Sequence, residues 1–134
     1  MKENHRTDFI VIGGLGEVGK NMYVVEVDKN FYIFDAGLIY DNEKNLGIDY
    51  IIPSFDYLIK NKKNVKGIFL THGHESNMGA VPDILAKLPD INIYGTKLTL
   101  TMVKNDMTKE EIDRTNIEQK KTVRKCKTKW NSYN

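Results

Sequence analysis

One cysteine, Cys126, is the only thiol among 134 residues. A single thiol cannot close an internal disulfide, so the sequence reads as a protein of a reducing compartment. Long apolar runs are missing as well. The longest hold four to six residues, well short of the roughly 20 a helix needs to cross a bilayer. The first residues, MKENHRTD, have no apolar core behind their charges and do not form a secretory leader. These absences together place the expected protein in the cytoplasm, away from membranes. A surplus of one charge is also lacking, since 20 Lys and Arg against 18 Asp and Glu leave a net +2. Bulk electrostatics therefore does not mark a nucleic-acid binder. Acidic residues do stop at Glu118, and Lys120, Lys121, Arg124, Lys125, Lys127 and Lys129 come after it. That run reads as a solvated, frayed terminus, with attraction of phosphate as the other reading.

What is present is an ordinary globular balance, 40% hydrophobic and 28% charged, in a length that suits one domain and not two. β-Branched and aromatic runs predict strands over Asp8–Ile12, Asn21–Val27 and Phe31–Phe34, the last two joined by a turn at Asp28-Lys29-Asn30. A long loop from Leu38 to Pro53 precedes a helix running toward Lys60. Gly67–Thr71 predicts another strand. Met78, Val81, Ile84, Leu85 and Leu88 then recur at helical spacing, predicting one amphipathic helix over 78–88. A strand over Ile91–Tyr94 and a helix from Thr96 to about Asp106, with Leu98, Met102 and Val103 on one side, complete the pattern. Beyond Met107 the apolar periodicity collapses. The chain thus divides into a folded unit over 1–107 and a basic, weakly structured tail over 108–134.

Two motifs bear on chemistry. Gly14-Leu15-Gly16-Glu17-Val18-Gly19 is a literal G-x-G-x-x-G after a strand, with Asp35 about where a dinucleotide fold places its ribose-binding acid. A pyrophosphate site needs a helix starting within the motif, because the helix N-terminus holds the anion. The residues after Gly19 instead form a strand and a hairpin turn, so the glycines predict a tight turn and a close backbone approach. The second motif is Thr71-His72-Gly73-His74 at a strand end. Two imidazoles one residue apart, with a glycine between them, can face a single cation; otherwise they are packed or solvated side chains.

At this point the sequence resembles a family. The run Gly13-Gly14-Leu15-Gly16-Glu17-Val18-Gly19-Lys20-Asn21, the strand end Phe34-Asp35-Ala36-Gly37, the stretch Leu46-Gly47-Ile48-Asp49-Tyr50-Ile51-Ile52-Pro53, and Thr71-His72-Gly73-His74-Glu75 together resemble ribonuclease J. That family is a branch of the β-CASP metallo-β-lactamase superfamily. The resemblance runs from about Asp8 to Met107 and implies an α/β fold, the first half of a metallo-β-lactamase αβ/βα sandwich. It also implies RNA as substrate, and endonuclease and 5′-exonuclease activity through two zinc ions and a metal-bound hydroxide.

The departures from the family pattern set the remaining expectations. The family motif reads His-x-His-x-Asp-His. His72 and His74 stand in it as metal ligands, but Ser76 replaces the aspartate and Asn77 the third histidine. A hydroxyl and an amide are poor zinc ligands beside a carboxylate and an imidazole. No histidine occurs after His74 to supply the family's later ligands. The resemblance therefore implies one weak zinc site at most and no secure catalytic residue. Asp35 reads in the family as a carboxylate that braces the metal loop by hydrogen bonding, and by composition as a turn residue before Gly37. The expected function is that of a ribonuclease J relative in RNA processing and degradation, impaired in catalysis. The alternatives are a non-catalytic partner or RNA-binding subunit of a full-length ribonuclease J paralogue, and a truncated fragment. Half a two-layer sandwich would leave apolar faces without cover.

Overall fold

The computed structural model describes residues 5–41 and 47–115. Strands β1 (Thr7–Gly13), β2 (Met22–Val27) and β3 (Asn30–Phe34) form an antiparallel meander. The turn between β2 and β3 places both Asp28 (φ 48°) and Lys29 (φ 65°) in the left-handed region. That double positive φ is the type I′ geometry whose twist matches the flanking strands. Asn30 supports the turn by donating its side-chain amide to the carbonyls of Val27 and Asp28.

The long loop after β3 contains a feature the sequence reading did not give, a two-stranded ribbon of β4 (Ile39–Tyr40) and β5 (Tyr50–Ile51). Helix α1 (Asp56–Lys60) comes next, then β6 (Val65–Phe69), α2 (Glu75–Met78), α3 (Val81–Lys87), β7 (Ile93–Tyr94), α4 (Lys97–Asn105) and α5 (Lys109–Thr115). β6 lies parallel to β3, and β7 parallel to β6, giving a mixed five-stranded sheet ordered β1-β2-β3-β6-β7. This sheet with one layer of helices is the β and α pair that the expected half-sandwich requires. No described helix is long and apolar enough to cross a membrane.

The single helix expected over 78–88 is two helices. The Ala80 amide is diverted to the Ala36 carbonyl at 2.8 Å. Pro82, which has no amide to donate, sits in the first turn of α3, so a new helix starts there. The apolar positions keep their role: Met78, Val81, Ile84, Leu85 and Leu88 are all buried. In α4 the buried side chains are Leu100 and Val103, one helical turn apart, while Leu98, expected on the apolar side, is 71% exposed. Past Met107, Thr108 and Glu111 form a reciprocal cap, with the Thr108 amide donating to the Glu111 carboxylate and the Glu111 amide to the Thr108 hydroxyl. Local capping thus starts α5 despite its weak periodicity. Cys126 and the basic run after Glu118 lie outside the described residues.

The core occupies one side of the sheet. Met22, Val24, Phe31, Ile33, Ile68 and Ile93 project toward Leu58 of α1, Val81, Ile84 and Leu85 of α3, and Leu100 and Val103 of α4. The residues between them point the other way, where no described helix packs. Phe9 on that side is 66% exposed, and Val11 and Phe34 are each 37% exposed.

Candidate metal centre and its hydrogen-bond network

The ends of β3 and β6 lie side by side, because the two strands are parallel and pair Phe34 with Phe69. The segments that leave the two strands therefore meet at one edge of the sheet. After β3 come Asp35, Ala36 and Gly37; after β6 come Thr71, His72 and His74, then Ser76 and Asn77 in α2. Close backbone approach joins the two segments. The amides of Ala36 and Leu38 donate to the carbonyls of Asn77 and Glu75, and the Asn21 amide donates to that of Ser76. A Cβ built on Gly37 would lie 1.6 Å from the Ser76 carbonyl oxygen, so only glycine fits. The G-x-G-x-x-G turn feeds the same clamp. Gly19 packs against Leu38 and Ile39, and the chain continues into β2 with no helix, as a dinucleotide site would have needed.

Asp35 is at the centre. It is 4% exposed and has φ 60°, a left-handed conformation that aspartate tolerates better than most residues. Its Oδ1 accepts the Thr71 backbone amide at 2.8 Å. The Thr71 hydroxyl donates across both carboxylate oxygens, at 3.0 and 2.9 Å. The Asn77 side-chain amide donates to Oδ2 at 2.8 Å. A buried carboxylate holding donors from both the loop and α2 fixes their relative position.

Both histidines emerge from this bracket into solvent, with ring centroids 5.7 Å apart and planes 43° from parallel. The Thr71 oxygen lies 2.9 Å from His72 Nδ1. Because the hydroxyl proton goes to Asp35, that nitrogen is the donor, and the His72 Nε2 lone pair is left free. Ser76 donates its hydroxyl to Asn77 Oδ1 at 2.8 Å and lies 3.4 Å from His74 Nδ1. Ser76 and Asn77 thus satisfy each other and Asp35. Glu75 does not stand in for the missing carboxylate, since it accepts the Tyr40 hydroxyl at 3.0 Å.

Among the described residues, no group of three or more His, Cys, Asp or Glu side chains could hold a metal ion. A catalytic zinc keeps three protein ligands and an open position. The donor set here is two imidazoles, with Asp35 already saturated. It does not fit a catalytic metal.

Glu75 faces a cleft of about 450 Å³ that the sequence reading did not identify, lined in part by Tyr40, Tyr50, Asp83, Asp106 and Glu111. Burial, and then the nearby Glu75 charge, raise the Asp106 carboxyl above its usual range. The Asp83 charge and burial raise the Tyr50 phenol. Tyr40 and Tyr50 reach this cleft because the β4–β5 ribbon pairs them, a long-range consequence that residue spacing alone does not reveal.

Over 113 residues, 84% of the chain, the sequence is 47% identical to Ribonuclease J 2 of Staphylococcus aureus (strain MRSA252). The chain is a ribonuclease J homologue. Ribonuclease J 2 of Staphylococcus saprophyticus is 44% identical over 113 residues. The homologue described here spans 20% of the length of each of these relatives. No protein-family model matches it. Among solved structures, human tRNase Z, short form, aligns over 87% of this chain and 42% of its own, with TM-score 0.47 and 16% identity. In this ribonuclease J homologue, Ser76 and Asn77 stand where the family motif places its aspartate and third histidine, and they bond to each other.

Proposed function

We propose that this ribonuclease J homologue belongs to RNA processing and degradation but assembles no hydrolytic centre of its own. One observation carries this reading: the closed hydrogen-bond set of Ser76, Asn77 and Asp35 beside the two histidines. In a two-metal hydrolase, the side chains at these positions hold the second cation and the attacking hydroxide. Here they hold one another. His72 and His74 retain free imidazole nitrogens and form one weak zinc site at most. With no third ligand, they leave a bound water too weakly polarised to attack a phosphodiester at neutral pH. What the site does supply is a rigid bracket. Asp35 orients Thr71, Thr71 orients His72, and Asn77 ties α2 to the same carboxylate.

RNA is the substrate class in which the chain takes part, and the cytoplasm is its place. A second reading is favoured by the exposed Phe9, Val11 and Phe34 on the helix-free side of the sheet. In it, the chain acts as a non-catalytic partner of a full-length ribonuclease J.

The test is restoration of the family motif. Ser76→Asp combined with Asn77→His breaks two hydrogen bonds of the bracket, at a cost of about 1–3 kcal/mol in urea denaturation. The variant, like the parent chain, is expected to leave a 5′-labelled RNA intact over hours with zinc present. Chelator-sensitive cleavage by either protein would overturn the reading.

A further inference from the structure

The sheet has one face packed on helices and one without cover. On the open face, paired positions carry Phe9 against Val25, Tyr23 against Phe34, and Phe34 against Phe69. Phe69 in turn pairs with Tyr94. The rings form a row, with Phe34 stacked on Phe69 at 5.4 Å and Phe69 stacked on Tyr94 at 4.7 Å. Phe9 stacks on Tyr23 at 5.9 Å on the far side of the same face. None of these paired positions carries a charge. A solvated face of an antiparallel sheet alternates toward polar residues, and this one does not.

The aromatic row also lies over the parallel part of the sheet, strands β3, β6 and β7. Parallel strands occur almost only where both faces are covered. In the ribonuclease J 2 relatives, the matching stretch is a fifth of the polypeptide, so about four-fifths of such a chain is available to supply a second layer.

We propose that the face bearing Phe9, Tyr23, Phe34, Phe69 and Tyr94 docks onto the remaining four-fifths of a ribonuclease J polypeptide. The partner's contribution is an apolar surface that buries the aromatic row. This inference rests on the kinship with ribonuclease J and not on the silence of the histidine loop. Its readout is binding, so its failure is distinct from an unexpected RNA cleavage.

The experiment co-expresses the 134-residue chain with Staphylococcus aureus Ribonuclease J 2 from which the 113 matching residues are removed. The expected result is a one-to-one complex, with hydrogen exchange slowed across β1, β2 and β3. Phe34→Lys and Phe69→Lys should each lower recovery of the complex at least tenfold. Phe9→Lys, at a more exposed site, should lower it less. In the free chain Phe34→Lys should leave the thermal midpoint nearly unchanged, because the side chain already meets water.

A second arm grafts residues 5–115 into the full-length relative in place of its own stretch, so that the partner need not fold alone. There Phe34→Lys should reduce the soluble yield at least fivefold. Absence of a complex together with a graft insensitive to Phe34→Lys would overturn the proposal. So would a dimer of this chain that uses the same face and excludes the partner.

Discussion

Gly37→Ala is expected to destabilise the protein by about 4 kcal/mol or more, enough to leave it unfolded under native conditions. The reason is steric and local. The added methyl would sit 1.6 Å from the Ser76 carbonyl oxygen and 2.2 Å from its carbon, both backbone atoms. Neither can move without breaking the hydrogen bonds that tie residues 36–38 to α2. Gly16→Ala provides the comparison. Its methyl would meet nothing within 4 Å, and only the left-handed φ of 73° is strained, which costs about 1–2 kcal/mol. Far-ultraviolet circular dichroism during urea titration checks both. Equal midpoints for the two variants would show that the close contact between the strand end and α2 is not a determinant of the fold.

Asp35→Ala is expected to cost about 3 kcal/mol or more, because the change strips one buried acceptor from three donor groups at once. The Thr71 amide, the Thr71 hydroxyl and the Asn77 amide would each lose their partner. Asp35→Asn should cost less, about 1–2 kcal/mol, since one of its side-chain atoms still accepts from Thr71 while the other presents a donor to the Asn77 donor. The exchanged pair Asp35→Asn with Asn77→Asp restores a donor facing an acceptor. It is expected to recover at least half of the loss, as a double-mutant cycle would record. Nitrogen-15 chemical shifts of the His72 ring add a readout that packing alone would not move. Loss of Asp35 should release the Thr71 hydroxyl and change which ring nitrogen carries the proton. An Asp35→Ala variant of parental stability with an unchanged His72 tautomer would remove Asp35 from its bracing role.

The parts of this architecture that are local in origin were legible from residues. The β2–β3 hairpin followed from two β-branched and aromatic runs flanking Asp28-Lys29-Asn30. The glycine turn was separable from a nucleotide loop because Met22–Val27 cannot open a helix. The position of His72 and His74 at a strand end was likewise readable, and so was the shortage of ligands around them.

The features that escaped were set by contacts between distant segments. The break between α2 and α3 depends on the Ala80 amide reaching Ala36, 44 positions earlier in the chain. The β4–β5 ribbon depends on Tyr40 meeting Tyr50. The bond from Asn77 to Asp35 spans 42 positions and turns a degenerate motif residue into a brace, a role that residue type alone does not announce. In α4, Leu98 and Leu100 are equally apolar, and only the helix's seating against β6 and α3 decides which is buried. The open apolar face, in contrast, was foreseeable once the chain resembled half of a two-layer fold. Its aromatic stacking was not, because ring contacts are set by strand register.

The central claim concerns ligand number, and counting metal tests it most directly. The purified chain should be saturated with zinc, exchanged into metal-free buffer by gel filtration, and assayed for zinc per polypeptide by atomic emission. Two imidazoles without further donors predict well under one zinc ion retained per chain. Retention of two would contradict the account.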